Sequence, residues 1–210
     1  MIRLLIGSIV VAVALSGAPR IARSEIDVRT DDGRVYSVLM RIFTTAEAWS
    51  APSHTLERVA GARLLEIRAT LDNGLNLEPK LEPSGAVDRV VFSQPLPKNA
   101  TYELVYSIAV DPGHTARIPL SVPEIPVSGG ARSVRIEVTP PDGYLVSGDA
   151  FPAFEQDTAE LANFPSHIEV EIGKRPRRST PALLSDLGVV LLLAGGTVAR
   201  VLLRRKGSQA

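Results

Sequence analysis

Three metal-binding residue types alternate along one short segment of the sequence. His167, Glu169 and Glu171 lie in "HIEVEI", where every second residue is His or Glu. In an extended strand such residues point to the same face, about 7 Å apart. This spacing is too wide for all three to bind one ion unless the strand bends, so the pattern also fits a solvated sheet face. We therefore keep His167, Glu169 and Glu171 as a speculative metal site.

Other catalytic and metal-binding arrangements are weaker. A Ser-His-Asp set would have to use His54, His114 or His167, the three histidines of the chain. No G-x-S-x-G, H-E-x-x-H, P-loop or Rossmann motif accompanies them. The acidic run at 155–160 lacks the ordered spacing and the glycine of a calcium loop. The sequence therefore predicts no enzyme, no catalytic residue and no cofactor, and a hydrolase remains a minor alternative.

Aromatic residues are the best candidates for a binding surface. Tyr144, Phe151, Phe154 and Phe164 crowd into "GYLVSGDAFPAFEQDTAELANFP", and Trp49 stands among small and polar residues in "TTAEAWSAPSH". Long irregular loops often carry function, and aromatic side chains in them serve as binding anchors. The alternative is that these rings close one end of the core. We take the five residues as a speculative binding set.

Alternation of apolar and polar residues predicts the strands that must position these groups. "TYELVYSIAV" at 101–110 is such a strand, and a Pro112-Gly113 turn leads from it into the return segment "ARIPLSV". "RSVRIEV" and "HIEVEI" alternate in the same way. "EIDVRTDDGRVYSVLMRIF" predicts a hairpin closed at Gly33.

Residues 55–71 fit two structures. One set of their apolar residues has helical spacing, whereas Leu65 to Leu71 alternate as in a strand. Gly61 interrupts the helical pattern, so we favour a strand over 63–71 and keep the helix as the alternative. With seven to nine short strands separated by turn signals, the fold class is mainly β, an antiparallel β-sandwich of immunoglobulin-like kind.

The first 24 residues have the pattern of a secretory signal peptide. Arg3 precedes an apolar run at 4–15, and small residues follow, ending in Ala22-Arg23-Ser24. Cleavage there would leave Glu25 as the first residue of the mature chain. An uncleaved N-terminal anchor is the alternative.

The other end predicts one transmembrane helix. The apolar stretch 187–199 has 13 residues and would span only roughly 20 Å. Extension to 181–203 gives 23 residues and roughly 34 Å, enough for a bilayer core of about 30 Å. Asp186 and Arg200 then lie near the two membrane faces. A buried helix of a soluble protein and a tail that is processed are the alternatives.

These segments define the predicted domain organisation. In order, they are a signal peptide (1–24), an extracytoplasmic β-sandwich (25–173), a basic linker (174–180), the transmembrane helix (181–203) and a cytoplasmic tail (204–210). The predicted location is the cell membrane, with a single span and the β domain outside the cytoplasm.

The charge is distributed unevenly along a chain whose formal net charge is zero. Residues 25–173 carry 12 Lys and Arg against 22 Asp and Glu, a net charge of −10, and the balancing basic residues lie at the two ends. An acidic body repels phosphates, which argues against nucleic acid as a partner. The chain has no cysteine and therefore no disulfide.

Residues 90–122, "VVFSQPL…TYELVYSIAVDPGHTARIPLSV", are similar to the later strands of CopC-like periplasmic copper-binding domains. Those domains use an N-terminal histidine as a copper ligand, whereas the predicted mature chain begins with Glu25. The resemblance covers about a sixth of the chain, and the copper function is not carried over.

The sequence thus favours a non-enzymatic binding or structural module, anchored in a membrane and acting in a membrane complex. Its expected partners are other membrane or extracytoplasmic proteins. A periplasmic metal-handling domain, for copper or calcium, is the main alternative.

Overall fold

The computed structural model describes residues 17–111, 115–128 and 130–174, which form thirteen strands and no helix. The strands are β1 (Ile21–Thr30), β2 (Val35–Thr44), β3 (Ser53–Glu57), β4 (Ala62–Leu71), β5 (Lys80–Ser84), β6 (Val87–Val91), β7 (Thr101–Val110), β8 (Ala116–Pro119), β9 (Ser121–Pro123), β10 (Val134–Thr139), β11 (Tyr144–Phe151), β12 (Thr158–Leu161) and β13 (His167–Lys174). The mainly β class is therefore confirmed. These ranges contain no helical membrane span, and the predicted span 181–203 lies outside them.

The strands form three sheets. The largest has the order β12-β10-β1-β2-β7-β4, the second β5-β6-β3-β9 and the third β11-β13-β8. The predicted hairpin is present, because β1 pairs antiparallel with β2, with Val28 opposite Val38. Gly33 lies in its turn with a positive φ of 71°, a backbone conformation that favours glycine.

One strand pair departs from the predicted antiparallel arrangement. β10 runs parallel to β1, with Ser24 opposite Val134 and Val28 opposite Val138. The remaining edge of β10 pairs antiparallel with β12. The largest sheet is therefore mixed. Alternation fixes which side chains face the core but not the direction of a neighbouring strand, which is why the sequence could not reveal this pair.

The predicted return after β7 is also different in the structure. β7 lies between β2 and β4, so both of its edges are occupied by strands that precede it in the chain. The segment "ARIPLSV" instead forms β8 and β9, which pair with β13 and β3 in the two smaller sheets. The chain therefore changes sheet after β7, where a hairpin was expected.

In the segment 55–71, residues 55–57 belong to β3 and residues 62–71 form β4. The strand favoured over 63–71 is therefore present, and the alternative helix is not. The register of β4 on β7 shifts between Leu64 and Glu66. Leu65 is the extra residue of this bulge and is 47% exposed, although the simple alternation predicts that it faces the core. Beyond the bulge, Ala69 and Leu71 are buried as expected.

Alternating side chains of the strands build one core. On β7 the side chains of Tyr102, Leu104, Tyr106 and Ile108 are at most 1% exposed, as the sequence predicts. Buried residues from the other two sheets, such as Leu56 of β3 and Ile168 of β13, pack in the same cluster. All these residues belong to one unit that extends to Gly173.

The first strand begins four residues before the predicted mature N-terminus. Ile21 is fully buried and its amide donates to the carbonyl of Pro126 at 2.9 Å. The amide of Ser24 donates to the carbonyl of Ser133 at 2.7 Å. A chain starting at Glu25 would lack these contacts. Residues 1–16, which hold most of the predicted signal peptide, lie outside the described part.

Candidate functional site

A cavity of about 260 Å³ lies where the β1–β2 turn approaches the three-stranded sheet. Part of its wall is apolar and comes from Ala116 of β8 and from Val170 and Ile172 of β13. The polar part comes from the hairpin turn, the end of β7 and the turn before β11, and consists of Asp31, Asp32, Arg34, Tyr36, Asp111 and Tyr144. An apolar wall with a few converging polar groups is the usual composition of a small-ligand site.

The hairpin turn fixes the carboxylate of Asp32. Its Oδ1 accepts hydrogen bonds from the amides of Arg34 at 2.8 Å and Val35 at 3.1 Å. These two backbone donors lower the pKa of Asp32, so the side chain stays ionised. The amide of Gly33 donates to Thr30 Oγ1 at 2.8 Å and completes the turn.

The cavity wall contains a tyrosine, Tyr36, whose side chain is buried but whose hydroxyl has no hydrogen-bond partner among the described residues. Tyr36 is 1% exposed, yet no described residue hydrogen-bonds to its hydroxyl. Among described residues, the fully enclosed side-chain oxygens without a hydrogen bond are Ser24 Oγ and Asp27 Oδ1. The Tyr36 hydroxyl is not one of them, so it retains contact with the cavity space. Burial, and secondly the charge of Asp32, raises the pKa of Tyr36 to about 12, which keeps the phenol protonated.

Asp111 is held at the cavity by the end of β7. Its amide donates to the carbonyl of Gly61 at 2.7 Å, and its side chain lies so close that a Cβ on Gly61 would be 3.2 Å from Asp111 Oδ2. Gly61 also has a positive φ of 77°, so a side chain there is disfavoured twice. On the other side, the amide of Tyr144 donates to the carbonyl of Pro141 at 3.0 Å and closes the turn before β11.

The first candidate histidine, His54, is sealed inside the core. It is 0% exposed, its Nδ1 lies 3.0 Å from Ser121 Oγ and its Nε2 lies 2.7 Å from the hydroxyl of Tyr102. Burial lowers the pKa of His54 to about 3, so the ring is neutral near pH 7. Its ring centroid lies 6.1 Å from that of Trp49 and 5.2 Å from that of Phe92. A substrate cannot reach this imidazole.

The second candidate, His167, belongs to a charged cluster near the surface, the Glu57 cluster, which consists of Glu57, Arg117, Ser166, His167 and Glu169. Glu57 Oε2 accepts a hydrogen bond from Ser166 Oγ at 2.8 Å and lies 3.1 Å from His167 Nδ1, while Glu57 Oε1 lies 3.0 Å from the guanidinium of Arg117. Glu169 Oε1 lies 3.5 Å from His167 Nε2. Mainly the Ser166 hydrogen bond, and secondly the charge of Arg117, lowers the pKa of Glu57 against the opposing effect of burial.

The serine of the Glu57 cluster is already engaged. Ser166 Oγ donates to Glu57 Oε2 at 2.8 Å, and both oxygens lie 3.1 Å from the same ring nitrogen, His167 Nδ1. Arg117 places a positive charge among the carboxylates. Within the described ranges, no group of three or more His, Asp or Glu side chains has the arrangement of a metal site. Of the predicted metal residues, His167 and Glu169 thus meet Glu57 and Arg117, and Glu171 lies two residues farther along β13.

The five predicted aromatic residues are distributed among different environments. Trp49 is only 6% exposed and stacks on His54, so its proposed contact with a partner is corrected to a core role. Phe154 and Phe164 are half-buried and pack against the core. Phe151 is 50% exposed, with its ring centroid 5.5 Å from that of His167. Tyr144 alone of the five lines the cavity.

The main cavity residues, Asp31, Asp32, Tyr36 and Asp111, are not among the site residues predicted from the sequence. The first three lie in the predicted hairpin, and its pattern points to a turn between two strands rather than to a site. Two adjacent carboxylates in a turn are a usable signal for a charged site. Asp111 gave no such signal, because it is 80 positions from Asp31 and meets it only through the pairing of β2 with β7.

Comparison with protein-family models and with curated proteins finds no match. Among solved structures, an aminopeptidase N family protein from Idiomarina loihiensis is similar at a TM-score of 0.45 and 11% identity, over 71% of this chain and 29% of that protein. Native leukotriene A4 hydrolase from Saccharomyces cerevisiae is similar at 0.41 and 10%, over 75% and 30%. An M1 zinc metallopeptidase from Deinococcus radiodurans is similar at 0.34 and 13%, over 75% and 39%. This chain spans well under half of the length of each of these three proteins.

Proposed function

We propose that this protein is a single-pass, membrane-anchored binding module with one extracytoplasmic β-sandwich of immunoglobulin-like kind, and that it has no enzymatic activity. The apolar patterns at 4–15 and 181–203 support export and anchoring. The excess of carboxylates in 25–173 supports a protein or small-molecule partner rather than nucleic acid. Its partners are other membrane or extracytoplasmic proteins, with which it forms a membrane complex.

The cavity beside the β1–β2 turn is the observation that carries the binding role. It combines an apolar wall from β8 and β13 with ionised and neutral polar groups from two turns and one strand end. Three of these residues, Asp32, Asp111 and Tyr144, come from segments that are distant in the chain and are held by hydrogen bonds to or from the backbone, which favours a site that is formed before a ligand arrives. Tyr144 is the member of the predicted aromatic set that lines this cavity.

The two described histidines support a non-enzymatic role. His54 has both ring nitrogens within hydrogen-bonding distance of neutral groups in the core. His167 has carboxylates near both of its ring nitrogens. In both imidazoles each ring nitrogen thus faces a protein group, which favours a structural role for the two residues.

Photo-crosslinking in native membranes tests this proposal. A photoreactive phenylalanine analogue is placed at Tyr144 of the full-length chain, with Leu75, an exposed residue at 49%, as the matched control position. We expect a crosslinked adduct of defined mass from position 144 and none from position 75. We also expect the chain to stay in the membrane pellet after carbonate extraction. Equal labelling at both positions, no adduct at 144, or release by carbonate would each contradict the proposal.

A further inference from the structure

The cavity beside the β1–β2 turn presents hydrogen-bond acceptors and an excess of negative charge. Asp31, Asp32 and Asp111 contribute three carboxylates, and Arg34 contributes one positive charge. In the described part of the chain, none of these three carboxylates takes part in an ion pair within 4.0 Å. A cavity with this charge attracts a cation and repels an anion.

The Tyr36 hydroxyl is a second, independent feature of the cavity that a ligand group could satisfy. A buried polar group without a hydrogen bond costs free energy, and such groups are normally satisfied by a protein partner, water or a ligand. Tyr36 is 1% exposed, has no hydrogen-bond partner among the described residues and meets the cavity at its hydroxyl. As a protonated phenol it can accept one hydrogen bond from a ligand.

The cavity wall selects among cations. No group of three or more metal-binding side chains in the described ranges has the arrangement that a metal ion needs. An alkylammonium group, by contrast, has three hydrogen-bond donors, no acceptor and an apolar chain. Its donors match the carboxylates and the Tyr36 hydroxyl, and its chain matches the apolar wall of Ala116, Val170 and Ile172. We propose that this cavity binds a primary alkylammonium group, either of a free amine or of a lysine side chain of a partner protein.

This inference rests on the binding role proposed above and names the chemistry of the ligand. It is tested by titrating the ¹⁵N-labelled full-length chain, purified in detergent, with n-butylammonium chloride. We expect saturable shifts of the amide signals of Gly33 and Val35, with a Kd on the order of millimolar, as befits one small charged group. n-Butanol, which has a similar shape and no charge, should give no saturable shift.

Two variants and one matched control locate the binding. Tyr36→Phe removes only a hydroxyl that has no described partner, so we expect unchanged thermal stability and about fivefold weaker binding. Asp111→Asn should weaken binding about five- to tenfold. Asp72→Asn removes one exposed carboxylate outside the cavity wall and should change the Kd less than about twofold. Equal weakening by Asp72→Asn and Asp111→Asn would show unspecific attraction and overturn the inference.

The two sources of the ammonium group are distinguished by a second pair of ligands. If the source is a partner lysine, the peptide Ac-Ala-Lys-Ala-NH₂ should bind at least as well as n-butylammonium, and its lysine-acetylated form should not bind. If the source is a free amine, only n-butylammonium should bind. If neither n-butylammonium nor the lysine peptide binds, this inference is overturned. If neither binds but position 144 still gives a partner adduct, the proposed binding role remains in place.

Discussion

The two described histidines of this protein lie in opposite environments. His54 is fully buried and has hydrogen-bonding distances only to neutral groups, Tyr102 and Ser121. His167 lies near the surface between two carboxylates and a guanidinium. Histidine therefore connects neighbouring sheets of this protein in two different ways. His54 joins β3 to β7 through the core, and His167 joins β13 to β3 through a charged surface cluster.

The largest expected effect comes from removing the buried member of this pair. His54→Ala would leave the Tyr102 hydroxyl and Ser121 Oγ without a partner and would remove a ring packed on Trp49 and Phe92. We expect a loss of about 3–5 kcal/mol in the free energy of unfolding, measured by urea denaturation.

His167→Ala is the matched control, because it removes the same side chain from the charged cluster. We expect a smaller loss, about 1 kcal/mol, because His167 is partly exposed and the groups it contacts can be hydrated after its removal. Equal losses for the two variants would remove the distinction between the core connection and the surface connection.

The second prediction concerns the pH dependence of stability. The folded pKa of His54 is about 3, below its ordinary value of 6.5, so between these values the unfolded chain binds more protons than the folded one. The contribution of neutral His54 to the free energy of unfolding is therefore fully present above pH 6.5 and is lost as the pH decreases toward 3. The folding equilibrium constant should decrease by up to about tenfold per pH unit in this window.

Denaturation at several pH values separates this contribution from that of the surface cluster. His167→Gln should keep the decrease that begins near pH 6.5, because His54 is unchanged. The lowered pKa of Glu57 acts in a more acidic window, where stability is lost as the pH falls below the ordinary value of 4.5. Constant stability of the His167→Gln variant between pH 6.5 and 5 would contradict the assignment to His54.

The smallest effect is expected in the surface cluster itself. Glu57→Gln keeps an acceptor for Ser166 but removes the charge that faces Arg117, and should cost less than about 1 kcal/mol at low salt. Salt near ~1 M should abolish most of that cost, because it screens exposed charges.

Glu66→Gln provides the comparison for this measurement. Glu66 accepts a hydrogen bond from Ser107 at 3.2 Å and forms no ion pair among the described residues. Its substitution should give a small change that does not depend on salt. A salt-independent loss in Glu57→Gln would mean that the hydrogen bonds, rather than the charges, hold the cluster together.

Sequence patterns predicted the strands better than their connections. Alternation identified the buried faces of β7 and β10 because each has a simple period of two. It misplaced Leu65, because a single-residue bulge reverses the alternation, and it could not show that β10 runs parallel to β1. Both depend on pairing with strands distant in the chain.

The candidate site was less predictable than the fold for the same reason. Asp31 and Asp111 come together only through strand pairing, and the open hydroxyl of Tyr36 is a property of its surroundings rather than of its residue type. Trp49 illustrates the opposite error. It stands among polar residues in the sequence, yet its ring lies in the core against His54.

The parallel pairing of β1 with β10 also constrains the order in which the chain can fold. Ser24 and Val134, which are opposite each other, are 110 positions apart. During synthesis from the N-terminus, β1 can pair with β2 early. The other edge of β1 stays unpaired until residues 134–139, which form β10, have been synthesised. Contacts of such long range form slowly, and an open strand edge can pair with another chain. Chains that end before β10 should therefore aggregate, and completion of the largest sheet depends on nearly the entire β domain having been synthesised.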